Sequence, residues 1–135
     1  MIVGLMGNIH AIGNAYHITS DESLTWNQIY QTVAAQLGVT LNAVHIPTDF
    51  LVACSSAEEQ AGLLGDKMHS VVFDNSKIKR AVPGFCATTR FDQGVAEVLD
   101  YLMSHPEKQV VETEYETWYN RVIATYENAI SSFQK

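Results

Sequence analysis

Asn14 to Ile46, NAYHITSDESLTWNQIYQTVAAQLGVTLNAVHI, is the stretch that decides the fold reading. Its centre carries Trp26, Ile29, Tyr30, Val33, Ala34 and Leu37, spaced as i, i+3, i+4, i+7, i+8 and i+11. That is one stripe of a 3.6-residue helix. Thr25 stands three residues before Gln28, the spacing at which a hydroxyl and a side-chain amide satisfy free backbone N–H groups, and Gly38 supplies the stop. On one side, Asn14–Thr19 holds an aromatic and a β-branched pair ahead of a turn at Ser20 to Ser23 and reads as a short strand. On the other, Ala43 to Ile46 reads as a second strand, closed by Pro47. Strand, helix, strand predicts an α/β fold of short strands covered by helices.

Further along the chain the same signals recur. Thr48 is placed to cap a short helix through Phe50, Leu51 and Val52. Ser56 and Glu59 repeat the capping-box spacing ahead of Ala61, Leu63 and Leu64, with Gly65 as terminator. Ser70 to Phe73 reads as a brief buried strand, and Ser76 to Val82 as one or two helical turns leading to Pro83-Gly84. Thr89 and Asp92 open a helix whose inner face is Phe91, Val95, Val98, Leu99 and Leu102, closed by Pro106. From the cap candidate Thr113, a stripe from Tyr115 to Phe133 is too long and too aromatic to stay solvated, so it must pack on the chain or on a partner. No repeat or low-complexity run interrupts the sequence. It reads as one domain, residues 1–135, with 107–135 as a terminal helical segment.

Composition narrows the function classes. The chain has 135 residues, 47% hydrophobic and 17% charged, which is ordinary for a folded globular domain. Its net charge of −7 opposes non-specific attraction to nucleic-acid phosphates and anionic lipid. Lys77, Lys79 and Arg80 form the basic cluster. Cys54 and Cys86 are far apart, so a disulfide framework or cysteine zinc site is not expected, and both read as buried, reduced thiols. The apolar opening Met1 to Gly7 is short, lacks a basic leader, and runs into Asn8 and His10; it reads as neither signal peptide nor membrane span. A cytoplasmic protein with no nucleic-acid or membrane partner is the expectation.

Candidate chemistry is sparse. Gly4-x-x-Gly7 lacks the preceding strand and the small third residue that a phosphate-cradling turn needs. No two histidines stand at the i, i+4 spacing of a helical metal pair, so no metal is expected. There is no Gly-x-Ser-x-Gly. Asp21-Glu22 and Glu58-Glu59 fall at a turn and in a helix's first turn, where acids serve as caps.

What remains is the region from Gly65 to Pro83. Tyr16-His17-Ile18-Thr19 before a turn and a Thr25-Trp26-led helix, then Leu64-Gly65-Asp66, then Phe73-Asp74-Asn75-Ser76-Lys77-Ile78-Lys79-Arg80 and Pro83, resembles the carboxy-terminal substrate-binding part of extended short-chain dehydrogenase/reductases. Those are NAD(P)-dependent epimerases and dehydratases acting largely on nucleotide sugars. The similarity runs from about Gly13 to Met103. It implies an α/β fragment like that family's C-terminal lobe, a sugar-nucleotide or related substrate, NAD or NADP in the intact enzyme, and a cofactor domain as the missing partner. Asp66, Lys67, Lys77 and Arg80 are the substrate-binding candidates on this reading.

The same residues also have an architectural reading. Asp74 begins a helical turn and is able to cap it; Asp66 after Gly65 sits at a chain reversal where a carboxylate ties down loop N–H groups. The departures from the family pattern are specific. Its Tyr-x-x-x-Lys pair, whose tyrosine acts as general base, is missing: the residues four beyond Tyr16, Tyr30, Tyr101, Tyr115, Tyr119 and Tyr126 are Ser20, Ala34, His105, Tyr119, Ile123 and Ile130. Leu63-Leu64 stand where an arginine commonly precedes the Gly-Asp step. That leaves a less charged substrate, or phosphate contact through Lys67, Lys77 or Arg80. No catalytic or cofactor-binding residue is assigned. The chain is expected to be inactive alone and to form homo-oligomers through 115–133, the competing class being a stand-alone ligand-binding or interaction module.

Overall fold

The computed structural model describes residues 2–134. About 60% of the chain is helical and, among the described residues, there is no strand. The α/β expectation is therefore corrected to an all-helical fold. Asn14–Thr19, Ala43 to Ile46 and Ser70 to Phe73 are all irregular. The physical reason is that a strand is a paired object: β-propensity reflects packing against neighbours, and a run of four to six residues without a ladder partner gains nothing from being extended. Ser70 to Phe73 is also not buried, since Val71, Val72 and Phe73 are each more than half exposed.

The chain forms two compact units, one from residues 1–41 with 71–104, the other from 42–70 with 105–135. The first unit holds α1 (Ile2–Leu5), a 3₁₀ turn at Ile9–Ala11, α2 (Trp26–Gln36), α5 (Ser76–Ala81) and α6 (Phe91–Ser104). The second holds α3 (Thr48–Cys54), α4 (Ala57–Gly62), a π-helical turn at Leu63–Lys67, a 3₁₀ turn at Pro106–Lys108, and α7 (Thr113–Phe133).

In the first unit α2 starts where the capping box predicts. Thr25 Oγ1 accepts from the Gln28 N–H at 3.3 Å, and Gln28 Oε1 accepts from the Thr25 N–H at 2.8 Å. It stops at Gly38, whose φ of +68° is the left-handed value that lets the Val39 N–H reach back to the Ala34 carbonyl. The inner face of α2 is Ile29, Val33 and Ala34, packed toward α6, while Trp26, Tyr30 and Leu37 of the predicted stripe stay exposed. On α6 the expected inner face holds except at Val98, which is 55% exposed. Ile78 of α5 is fully buried.

In the second unit Ser56 and Glu59 form the expected box at the start of α4. Gly65 does not end the helix: the chain continues through the π-turn, closed by Met68 N–H to the Leu63 carbonyl at 3.0 Å. Thr48 and Thr113 are the first residues of their helices rather than caps, following Pro47 and Glu112. The α7 stripe buries Val122. Trp118 donates its indole N–H to the Cys54 carbonyl at 2.9 Å, and Tyr126 meets Phe50 edge-on with ring centres 5.3 Å apart. These two contacts tie α7 to α3.

Candidate functional site

The polar groups of the first unit converge where the turn at 19–24 meets residues 71–75. Asn75 precedes α5 but its side chain makes no cap. Its amide N–H₂ instead donates to the carbonyls of Thr19 (3.0 Å) and Ser20 (3.3 Å) and to Asp21 Oδ1 (2.8 Å). The capping work falls to Asp74, which accepts from the Ser76 N–H at 2.8 Å and from the Ser76 hydroxyl at 3.0 Å. One residue of offset thus frees Asn75 to bind a distant loop.

The carboxylates here are all engaged. Lys79 pairs with Asp21. That bond, reinforced by the one from Asn75, holds the Asp21 carboxyl below its ordinary pKa. The backbone and hydroxyl of Ser76 do the same for Asp74. Glu22 accepts from the Phe91 N–H at 2.8 Å, satisfying one orphan donor at the start of α6. Between the two strips lies a cleft of about 350 Å³, lined by Thr19–Leu24 and Val71–Asn75. Thr19 Oγ1 has essentially no exposed surface and no hydrogen-bond partner among the described residues.

The four predicted substrate contacts do not form one cluster within a unit. Asp66 and Lys67, in the second unit, are exposed and pair with each other at 2.6 Å. That contact with Lys67 lowers the Asp66 pKa. In the first unit the Lys77 ammonium sits 4.9 Å from the centre of the Tyr16 ring, a cation–π contact, and Arg80 donates to the Ser76 hydroxyl at 3.1 Å. With Lys79 on Asp21, each member of the basic cluster already has an intramolecular partner.

The sequence places Asp21 and Glu22 at a turn, as caps. Glu22 does cap, but the helix it caps begins at Phe91, and Asp21 pairs with α5. Thr19 and the long-range role of Asn75 are not legible in the sequence, because contacts across 54 to 69 residues leave no trace in local spacing. Cys86, expected to be buried, is exposed.

The Gly4-x-x-Gly7 stretch does not form a dinucleotide cradle. Gly4 lies in a four-residue helix, not after a strand, and a Cβ on Gly4 would meet the Val82 side chain at 2.6 Å. The first glycine therefore serves packing, and no phosphate-facing helix of useful length follows. Among the described residues no group of three or more His, Cys, Asp or Glu is placed to hold a metal ion. None of the helices among them is long and apolar enough to cross a membrane. In comparison with known proteins, no family model, no curated protein and no solved structure matches the chain.

Proposed function

We propose that the chain is the substrate-binding portion of an NAD(P)-dependent epimerase or dehydratase acting on a sugar nucleotide or related compound. The reading rests on the ordered series Tyr16–Thr19, Gly65-Asp66 and Phe73–Arg80. In such an enzyme the nicotinamide supplies the redox chemistry and this portion supplies orientation and charge around the substrate. The chain carries neither a Tyr-x-x-x-Lys pair nor a fitting dinucleotide turn, so it turns nothing over alone. Lys77 and Arg80 are the contacts proposed for the first unit, and Asp66 and Lys67, separately, those for the second.

One structural observation supports the part of the reading that calls for a covering partner: the chain leaves much surface uncovered. It exposes 10693 Å², whereas a compact monomer of its 15.0 kDa exposes about 7,000 Å² and two separate compact halves about 8,500 Å². Only Ala34, Ile78 and Val122 are buried apolar residues among those described. With Val72, Val110 and Phe133 among the large apolar side chains left exposed, the chain is suited to being covered by another piece of protein.

The test is the coding sequence on the 5′ side of Met1. The proposal expects a continuous reading frame encoding a strand, a Gly-rich turn, a helix and a Tyr-x-x-x-Lys. An in-frame stop directly before Met1 would leave the alternative, a stand-alone binding or interaction module, which the cleft at 19–24 and 71–75 favours.

A further inference from the structure

The cleft of the first unit has properties that neither capping nor the substrate reading uses. Val71 and Val72 make no hydrogen bond through main chain or side chain among the described residues, and Phe73 makes only a ring contact, with His17 at 4.9 Å between centres. All three are strand-forming residues, and they are 57%, 78% and 54% exposed. Open N–H and C=O groups beside open apolar side chains are what an added strand requires: the main chain supplies affinity and the side chains register.

Charge decides what kind of strand. Asp21, Glu22 and Asp74 line the cleft, and Lys79, on Asp21, offsets one of the three carboxylates. The excess is negative. Carboxylates of ordinary acidity are ionised through the neutral range, and the hydrogen bonds on Asp21 and Asp74 shift both further in that direction. A basic segment is attracted and an acidic one repelled.

We propose that residues 71–74, with the turn at 19–24 facing them, form a docking edge for an extended peptide segment of a partner protein that alternates basic and apolar residues. The peptide main chain pairs with Val71–Phe73, its apolar side chains cover Val71 and Val72, and its ammonium or guanidinium groups face Asp21, Glu22 and Asp74. The edge lies wholly within the first unit, so it stands or falls separately from the dehydrogenase reading.

The experiment is an amide NMR titration of the ¹⁵N-labelled full chain with a short synthetic peptide alternating lysine and valine. Two control peptides accompany it: one with glutamate for lysine, one N-methylated along its backbone. Saturable shifts at residues 71–74 and at Asp21 and Glu22, with slowed exchange of the Val72 amide, are expected. The glutamate peptide should bind at least about tenfold more weakly, the direction that like-charge contact imposes, and the methylated peptide should produce no saturable shift. No shift at these residues overturns the proposal, as does equal binding of either control. Concentration-dependent shifts there without peptide also overturn it, because the occupant is then a second copy of the chain.

Discussion

At the residue scale, Asn75 is the position on which the first unit's polar architecture turns. Its one amide nitrogen serves two carbonyls and a carboxylate from the turn before α2, and it is half-buried. Asn75→Ala should cost about 1–2 kcal/mol, the cost of leaving part-buried acceptors unpaired, read as a lower urea midpoint. Asn75→Asp should do worse, since it sets a second carboxylate against Asp21. The pH dependence follows from the four depressed acids Asp21, Glu59, Asp66 and Asp74. A depressed native pKa means that the unfolded chain takes up protons first on acidification. The stabilising contribution is therefore complete above the ordinary carboxylate range, about pH 4, and is lost as pH falls through the native values. Thermal unfolding should show little change in midpoint between pH 6 and 8 from these acids and a falling midpoint below about pH 4. Substituting Asp21 by Asn should reduce that acid sensitivity.

At the scale of elements, the legible parts were those governed by neighbours in sequence. Both capping boxes formed as their spacing required, because Thr25 with Gln28 and Ser56 with Glu59 need only three residues of chain to find each other. Thr25→Ala should cost about 1 kcal/mol, measured by chemical denaturation. What was not legible depended on partners elsewhere. Asn14–Thr19, Ala43 to Ile46 and Ser70 to Phe73 have strand composition, but strand formation is decided by a ladder that the sequence of one segment does not specify. Gly65 reads as a stop only if the chain leaves the helix there, and the π-turn carries it onward instead. Lys77 and Arg80 were legible as a basic cluster; that they rest on Tyr16 and Ser76 was not. In the second unit the Trp118–Cys54 bond fixes α7 on α3. Trp118→Phe keeps an aromatic ring but removes the donor and part of the indole's packing, so it should lower the urea midpoint by an amount equivalent to at least about 1 kcal/mol.

For the whole molecule, the decisive quantity is uncovered surface. The denaturant slope reports the area exposed on unfolding. A chain that exposes 10693 Å² when folded should give a urea m-value about a sixth below that of two separate compact halves of the same total length. The exposed aromatic stretch of α7, with Tyr115, Tyr119 and Phe133, is the proposed route to self-association. Sedimentation should show concentration-dependent oligomers, and a clean monomer at high concentration would count against that route. The function proposed above assigns substrate handling to this chain and cofactor chemistry to another part of the enzyme. Its most direct test is a calorimetric titration of the isolated chain with NAD and with NADP. The account predicts no saturable heat for either, and tight, saturable binding of either one would contradict it.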